Sequence, residues 1–343
     1  MLKGNNLDEL LNNRINNFDI IRFLAATLVI FAHSYPLTGH NAEEPLGALT
    51  NGMSFGGLAV KVFFIISGFL ITQSFDRSKD IKKYSIARIL RIFPGLIVVV
   101  LLSIFILGPV FTSSSLKNYF LDPKTYEYLK TIRLYHLEYY LPGVFQQNPN
   151  QAVNGSLWTL WYEFYFYIVI AVLGITRLLN RPIVLLGFLL ASILFYLGRG
   201  NFYTDLFRYF SVGMLFYLFR QKIVLNGWIA ALSIIILAFT VKTPYFSYLL
   251  SVLGSYIIFY LAFHKNLKFN NFGKYGDFSY GIYIYAFPIQ QIAVYATDNQ
   301  LSHWGNFLVS FPITLIFSVL SWHLVEKRAL KLKNYSMKVK KPW

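Results

Sequence analysis

Arg22 and His33 lie eleven residues apart in the first apolar run, FDIIRFLAATLVIFAHSYP. Eleven residues of α-helix return to nearly the same azimuth, so the two side chains share one face, ~16 Å apart along the axis. A guanidinium and an imidazole at hydrocarbon depth are expensive, and such groups usually face a bundle interior or a watery cavity. The pair suits a reaction path through a membrane, with an anion gripped at one end and a base at the other. His33 is the natural base, because imidazole accepts a hydroxyl proton near neutral pH. Arg22 would grip a phosphate or a carbonyl entering from inside. Each also has a plainer reading: a histidine wetted by headgroups, and an arginine that snorkels to the interface.

Other ionisable residues fall at a similar depth. Counting from the span ends puts His33 ~8 Å below the outer boundary, Glu163 ~10 Å, Lys61 ~9 Å and Arg208 ~7 Å. If they converge they form a polar chamber open to the outside. Glu163, in SLWTLWYEFYFY, would either orient the imidazole as the acid of a triad does, or pair with Lys61 or Arg208 and merely join helices. Arg88 and Arg91, three apart in KKYSIARILRIFPG beside Lys82 and Lys83, make a phosphate mouth or an ordinary basic helix end. The block Gly56–Phe69 mixes small residues with aromatics. It would pack helices closely, or leave room at Ser67-Gly68 for a slender ligand. Ser67 as a nucleophile has no base near it in sequence. In FSYGIYIYAFPIQQ, Pro288 frees a backbone carbonyl, and Gln290 and Gln291 offer hydrogen-bonding groups to the same chamber. No metal pattern is expected, since His136, His264, His303 and His323 fall in different segments without ligand spacing, and Gly-rich nucleotide loops are absent.

The elements that must position these residues are membrane spans. The 343 residues are 56% hydrophobic and 13% charged, with a mean hydropathy of +0.49. An ordinary soluble domain carries about 25% charged residues. Apolar runs of roughly 18 residues or more recur along the whole chain, which predicts an all-α polytopic membrane protein. Ten spans are expected, over 18–36, 55–75, 91–112, 156–175, 182–198, 203–219, 223–241, 245–263, 278–297 and 305–325. With both termini cytoplasmic, the inner segments hold 22 Lys and Arg against 6 outside, a strong positive-inside bias. The net charge of +16 therefore belongs to membrane topology and not to nucleic acid. No cleavable signal peptide is expected, because the first span carries Asp19 and Arg22. Absence of cysteine excludes disulfides and a cysteine nucleophile. Residues 1–326 read as one transmembrane domain. The long outer loop 113–155 has room for short interfacial helices, and 327–343 form a basic tail suited to anionic lipid.

Taken together these residues resemble the acyltransferase type 3 family of bacterial integral-membrane acyltransferases. The matching elements are Arg22-x10-His33, GG…VFFIISGF, the Arg88/Arg91 pair, SLWTLWYE ending in Glu163, YGIYIYAFPIQQ and SWHLVEK, in order across nearly the whole chain. The resemblance implies about ten transmembrane helices. It also implies transfer of an acyl group, usually acetyl, from cytoplasmic acyl-CoA to a hydroxyl of a cell-surface or lipid-linked carbohydrate. His33 and Arg22 match the family's essential pair, and Arg88 and Arg91 its cytoplasmic arginine pair. Two positions depart from the pattern: Lys61, where Asp or another polar residue is usual, and Ala286, where many relatives carry His. Both bear on the acceptor more than on the reaction.

On this reading acyl-CoA is a co-substrate held by Arg88, Arg91, Lys82 and Lys83, and no metal is needed. His33, Glu163 and Arg22 act on the reacting groups. Lys61, Arg208, Trp161 and Gln290 meet the acceptor, and Trp158, Trp161, Tyr162 and Tyr165 stack sugar rings or form an interfacial aromatic belt. The expected location is the inner membrane, with lipids and a glycan acceptor as partners. Two other classes stay open: a transporter or flippase for an anionic lipid or glycan, and a non-catalytic scaffold.

Overall fold

A computed structural model describes residues 5–12, 16–50, 52–78 and 80–338. The last residues of the basic tail, 339–343, lie outside the described residues. Among the described residues the principal helices are α1 Phe18–Leu37, α2 Phe55–Ser78, α3 Ile81–Phe111, α4 Trp158–Ile175, α5 Arg181–Tyr196, α6 Phe202–Leu218, α7 Gly227–Thr240, α8 Phe246–Ala262, α9 Ser279–Ala296 and α10 His303–Lys333, with α3 starting well before and α10 ending well after the expected spans 91–112 and 305–325. Five of them, α1 to α4 and α10, are long and apolar enough to cross a membrane, while α5, α7 and α8 are shorter apolar helices. The outer loop does carry short helices, Leu116–Leu121 and Pro123–Glu127, capped by the side chains of Ser115 and Asp122.

The chain divides into two compact units, Met1–Ala25 with Pro45–Tyr84 and Tyr162–Tyr275, and Ala26–Glu44 with Ser85–Trp161 and Gly276–Trp343. In the first, α2 packs on α6 through two reciprocal glycines. A Cβ on Gly68 would strike the Phe210 carbonyl, and one on Gly213 the Ile65 carbonyl. The backbones touch, as small residues in apolar helices allow. The space beside Gly68 is therefore filled by α6, so of the two readings of this block close packing is the one realised there. An aromatic cluster of Phe18, Phe69, Phe216, Phe259 and Phe263 closes the core of this unit.

In the second unit α9 is buried along nearly all its length and packs on α10, where Gly281 lies against Ser318. Among the described residues three π-turns interrupt the helices, at Ser103–Leu107, Leu250–Gly254 and Trp322–Glu326. The first precedes Pro109, which has no N–H to offer the preceding turn. The buried Tyr119 hydroxyl donates instead to the Ile104 carbonyl at 2.9 Å, in the gap left by the missing side chain of Gly108.

Candidate functional site

α1 runs unbroken through Arg22 and His33, so the sequence spacing is realised on one helix. Its Pro36 falls in the last turn. Arg22 and His33 are both half-buried. The His33 ring meets Phe287 edge-on, with centroids 5.3 Å apart, and its Nδ1 lies 3.5 Å from the Ser156 hydroxyl, the long limit of a hydrogen bond.

The sequence Asn154-Gly155-Ser156 explains how that hydroxyl arrives. Pro288 leaves the Ile284 carbonyl without its helical N–H, and the Asn154 amide donates to that carbonyl at 2.8 Å. Asn154 also accepts from the Ser156 N–H at 3.1 Å. Gly155 lies flat on Phe287, where a Cβ would overlap the ring. Tyr283 donates to the Ser156 carbonyl and shares a hydrogen bond of 2.6 Å with Thr159. Farther along α9, Gln291 takes Asn148 and the carbonyls of Asn150 and Ala152. The end of the outer loop is thus stitched to α9. Ser156 was not singled out from the sequence; only its place two residues after an asparagine and before an apolar helix hints at a fixed turn.

Gln290 departs from its expected contact with substrate. Fully buried, it donates to the Ile30 carbonyl at 2.9 Å and to the Asn306 side chain at 2.8 Å, which ties α9 to α1 and α10. Trp161 packs its ring against Tyr135.

Arg91 also departs from expectation. It meets Asp277 at 2.6 Å and Glu326 at 3.6 Å and lies over the Tyr280 ring. Ser279 and Ser321 hold the far oxygens of the two carboxylates. Two acids therefore absorb a charge that the sequence reading gave to a phosphate. Arg88 is half-buried on the same helix. Lys82 and Lys83 are exposed at its first turn, where Asp80 caps both backbone N–H groups.

In the first unit, Lys61 and Arg208 do come together, on Asp205. Lys61 lies 3.5 Å from one carboxylate oxygen and Arg208 2.6 Å from the other. Arg208 is wholly enclosed, with Phe195 over its guanidinium at 3.8 Å and Ser247 accepting at 3.0 Å. Of the two cations only Lys61 keeps exposed surface, 12% of its side chain. Arg208 thus loses its expected place against substrate. The alternative of a Glu163 pair with these cations is not realised either, since Asp205 takes both. Glu163 accepts from Tyr167, one turn along α4, and from Ser67 at 3.4 Å.

A family model described as an acyltransferase domain matches residues 15–323. An O-acetyl transferase of Shigella phage Sf6 is 29% identical, over 93% of this chain and 97% of its own. Nodulation protein 10 of Rhizobium leguminosarum bv. viciae is 26% identical, over 93% and 94% respectively. No solved structure matches.

Proposed function

The chain belongs to the acyltransferase family that it matches over residues 15–323, and from that membership we propose an inner-membrane enzyme with ten crossings and both termini cytoplasmic. It moves an acyl group, acetyl by analogy with the phage relative, from acyl-CoA to a hydroxyl of a cell-surface or lipid-linked carbohydrate. The proposal rests on His33, which shares one helix with Arg22 and turns Nδ1 toward a hydroxyl fixed by the stitched loop. With Ser156 accepting from Nδ1–H, Nε2 keeps its lone pair.

The acceptor hydroxyl gives its proton to Nε2 as its oxygen attacks the thioester carbonyl. The C–S bond then breaks, and the leaving thiolate of CoA takes the proton back from the imidazolium. Arg22, on the same face ~16 Å away by helix geometry, holds the donor on its way in. Lys82, Lys83 and Arg88 receive its phosphates, while Arg91, already paired with two acids, fixes that helix end. Lys61 is the cation that meets the acceptor. Glu163 stays with Tyr167 and Ser67 in the first unit.

The test uses purified protein in nanodiscs with radiolabelled acetyl-CoA and a glycan extract of the host. Wild type should transfer label and release CoA, and His33→Ala should lose ~10²–10⁴-fold in rate with folding intact. Undiminished transfer by His33→Ala would remove His33 as the base. No CoA binding and no thioester loss in wild type would favour transport instead.

A further inference from the structure

Where α1 ends, the chain turns back through His40 and Glu43 to meet His303, the first residue of α10. In sequence these residues have no ligand spacing. In the structure each offers one ligand atom, and the three atoms lie within 4.8 Å of one another.

The surroundings fix how each imidazole presents itself. Thr38 donates its hydroxyl hydrogen to the Ser34 carbonyl at 2.7 Å. Its oxygen, 3.0 Å from His40 Nδ1, must therefore accept from that nitrogen. His40 then carries its proton on Nδ1, and Nε2 keeps a lone pair. Metal-bound histidines are oriented in this way, through a hydrogen bond on the other nitrogen. His303 is stacked on Tyr35, centroids 4.3 Å apart, and meets the His40 ring nearly edge-on at 5.4 Å. Its Nδ1 is buried with no hydrogen-bond partner among the described residues. Buried polar atoms seldom go unsatisfied, and an ion is one of the explanations for those that do.

We propose that His40, Glu43 and His303 bind a divalent transition-metal ion, Zn²⁺ before others, that clasps the turn after α1 to the start of α10. Two imidazoles and a carboxylate suit Zn²⁺, whereas Mg²⁺ and Ca²⁺ take oxygen ligands. Ligands about 2.0–2.2 Å from a tetrahedral centre stand roughly 3.3–3.6 Å apart, so closure needs about 1 Å of movement. Glu43, exposed at the end of a single 3₁₀ turn, can supply it. The N-terminus of α10 places partial positive charge near the site and opposes a cation. The Glu43 carboxylate offsets it. Three protein ligands leave the fourth position to water.

The test uses full-length protein in nanodiscs with any polyhistidine tag removed, Co²⁺ as a spectroscopic probe and Zn²⁺ competed against a chromophoric chelator. Wild type should take one equivalent, show the visible bands of four-coordinate Co²⁺ and quench Trp304, whose ring centroid is 5.9 Å from that of His303. Glu43→Gln and His40→Asn should weaken Zn²⁺ at least tenfold, and Thr38→Val ~10–100-fold. His323→Asn should bind as wild type does. Zn²⁺ should raise the melting temperature of wild type and leave that of Glu43→Gln unmoved. Because Glu43 is exposed, its variant folds regardless of the ion. No uptake by folded wild type, or wild-type affinity in both Glu43→Gln and His40→Asn, overturns the proposal.

Discussion

Asn154 donates to the carbonyl of Ile284, the group that Pro288 strips of its helical partner. One hydrogen bond thereby repairs a broken helix and anchors the turn that carries Ser156 to His33. Asn154→Ala would leave that buried carbonyl unsatisfied, at about 1–3 kcal/mol. Pro288→Ala supplies a fresh N–H, so Asn154→Ala should be milder in a Pro288→Ala background than alone. Thermal melts of the four proteins in detergent give the coupling directly. Additive losses would mean that the carbonyl is satisfied by something else.

How much of this was legible beforehand follows from how local each signal is. The helices at 18–37, 158–175 and 303–321 announce themselves by runs of apolar residues, and the short helices of the outer loop by Ser115 and Asp122 at their starts. The Arg22 and His33 spacing needs only one helix. Pairings between helices carry no local signal. Asp205 lies 144 positions from Lys61, and Asp277 and Glu326 are farther still from Arg91. A charge seen alone on a span looks available for substrate until the fold supplies its counterion. Gln290 misled for the same reason: an amide beside a proline looks like a ligand group, and in the fold its N–H groups join helices.

Arg91 separates a structural from a ligand-binding role. Arg91→Ala leaves Glu326, 2% exposed, and Asp277 without their cation. Removing one partner of a buried ion pair costs roughly 3–5 kcal/mol. The expected result is a large drop in melting temperature of detergent-solubilised protein, with part of it recovered by Arg91→Ala combined with Glu326→Gln. Unchanged stability with lost acetyl-CoA binding would return Arg91 to the phosphate mouth.

Among the described residues, Asp205 alone pairs with two cations, one of them wholly enclosed. Asp205→Asn keeps the shape and removes the charge, so Arg208 is left buried without neutralisation, again about 3–5 kcal/mol. Lys61→Gln removes only the outer partner and leaves the Asp205–Arg208 pair intact. It should cost far less stability, about 1 kcal/mol or below, as partly exposed pairs do, while weakening acceptor use. Denaturation in mixed micelles and acetyl transfer, measured on both variants, distinguish the two cations.

The α2–α6 contact predicts that Gly68 is irreplaceable for packing reasons. A methyl group there meets the Phe210 carbonyl, which is backbone and cannot rotate away. Gly68→Ala should therefore push the helices apart and cost about 1–3 kcal/mol. Gly57, three turns earlier on the same helix, is a control: its added Cβ meets nothing closer than the Ser54 hydroxyl at 3.7 Å, ordinary contact distance. Gly57→Ala should melt with wild type, and by reducing the freedom of the unfolded chain it can even gain ~0.4–1 kcal/mol. If Gly68→Ala melts like Gly57→Ala while acyl transfer falls, the glycine serves a ligand passage and not the helix contact. If both stability and transfer fall together, close packing of the two backbones is the reason a glycine stands there.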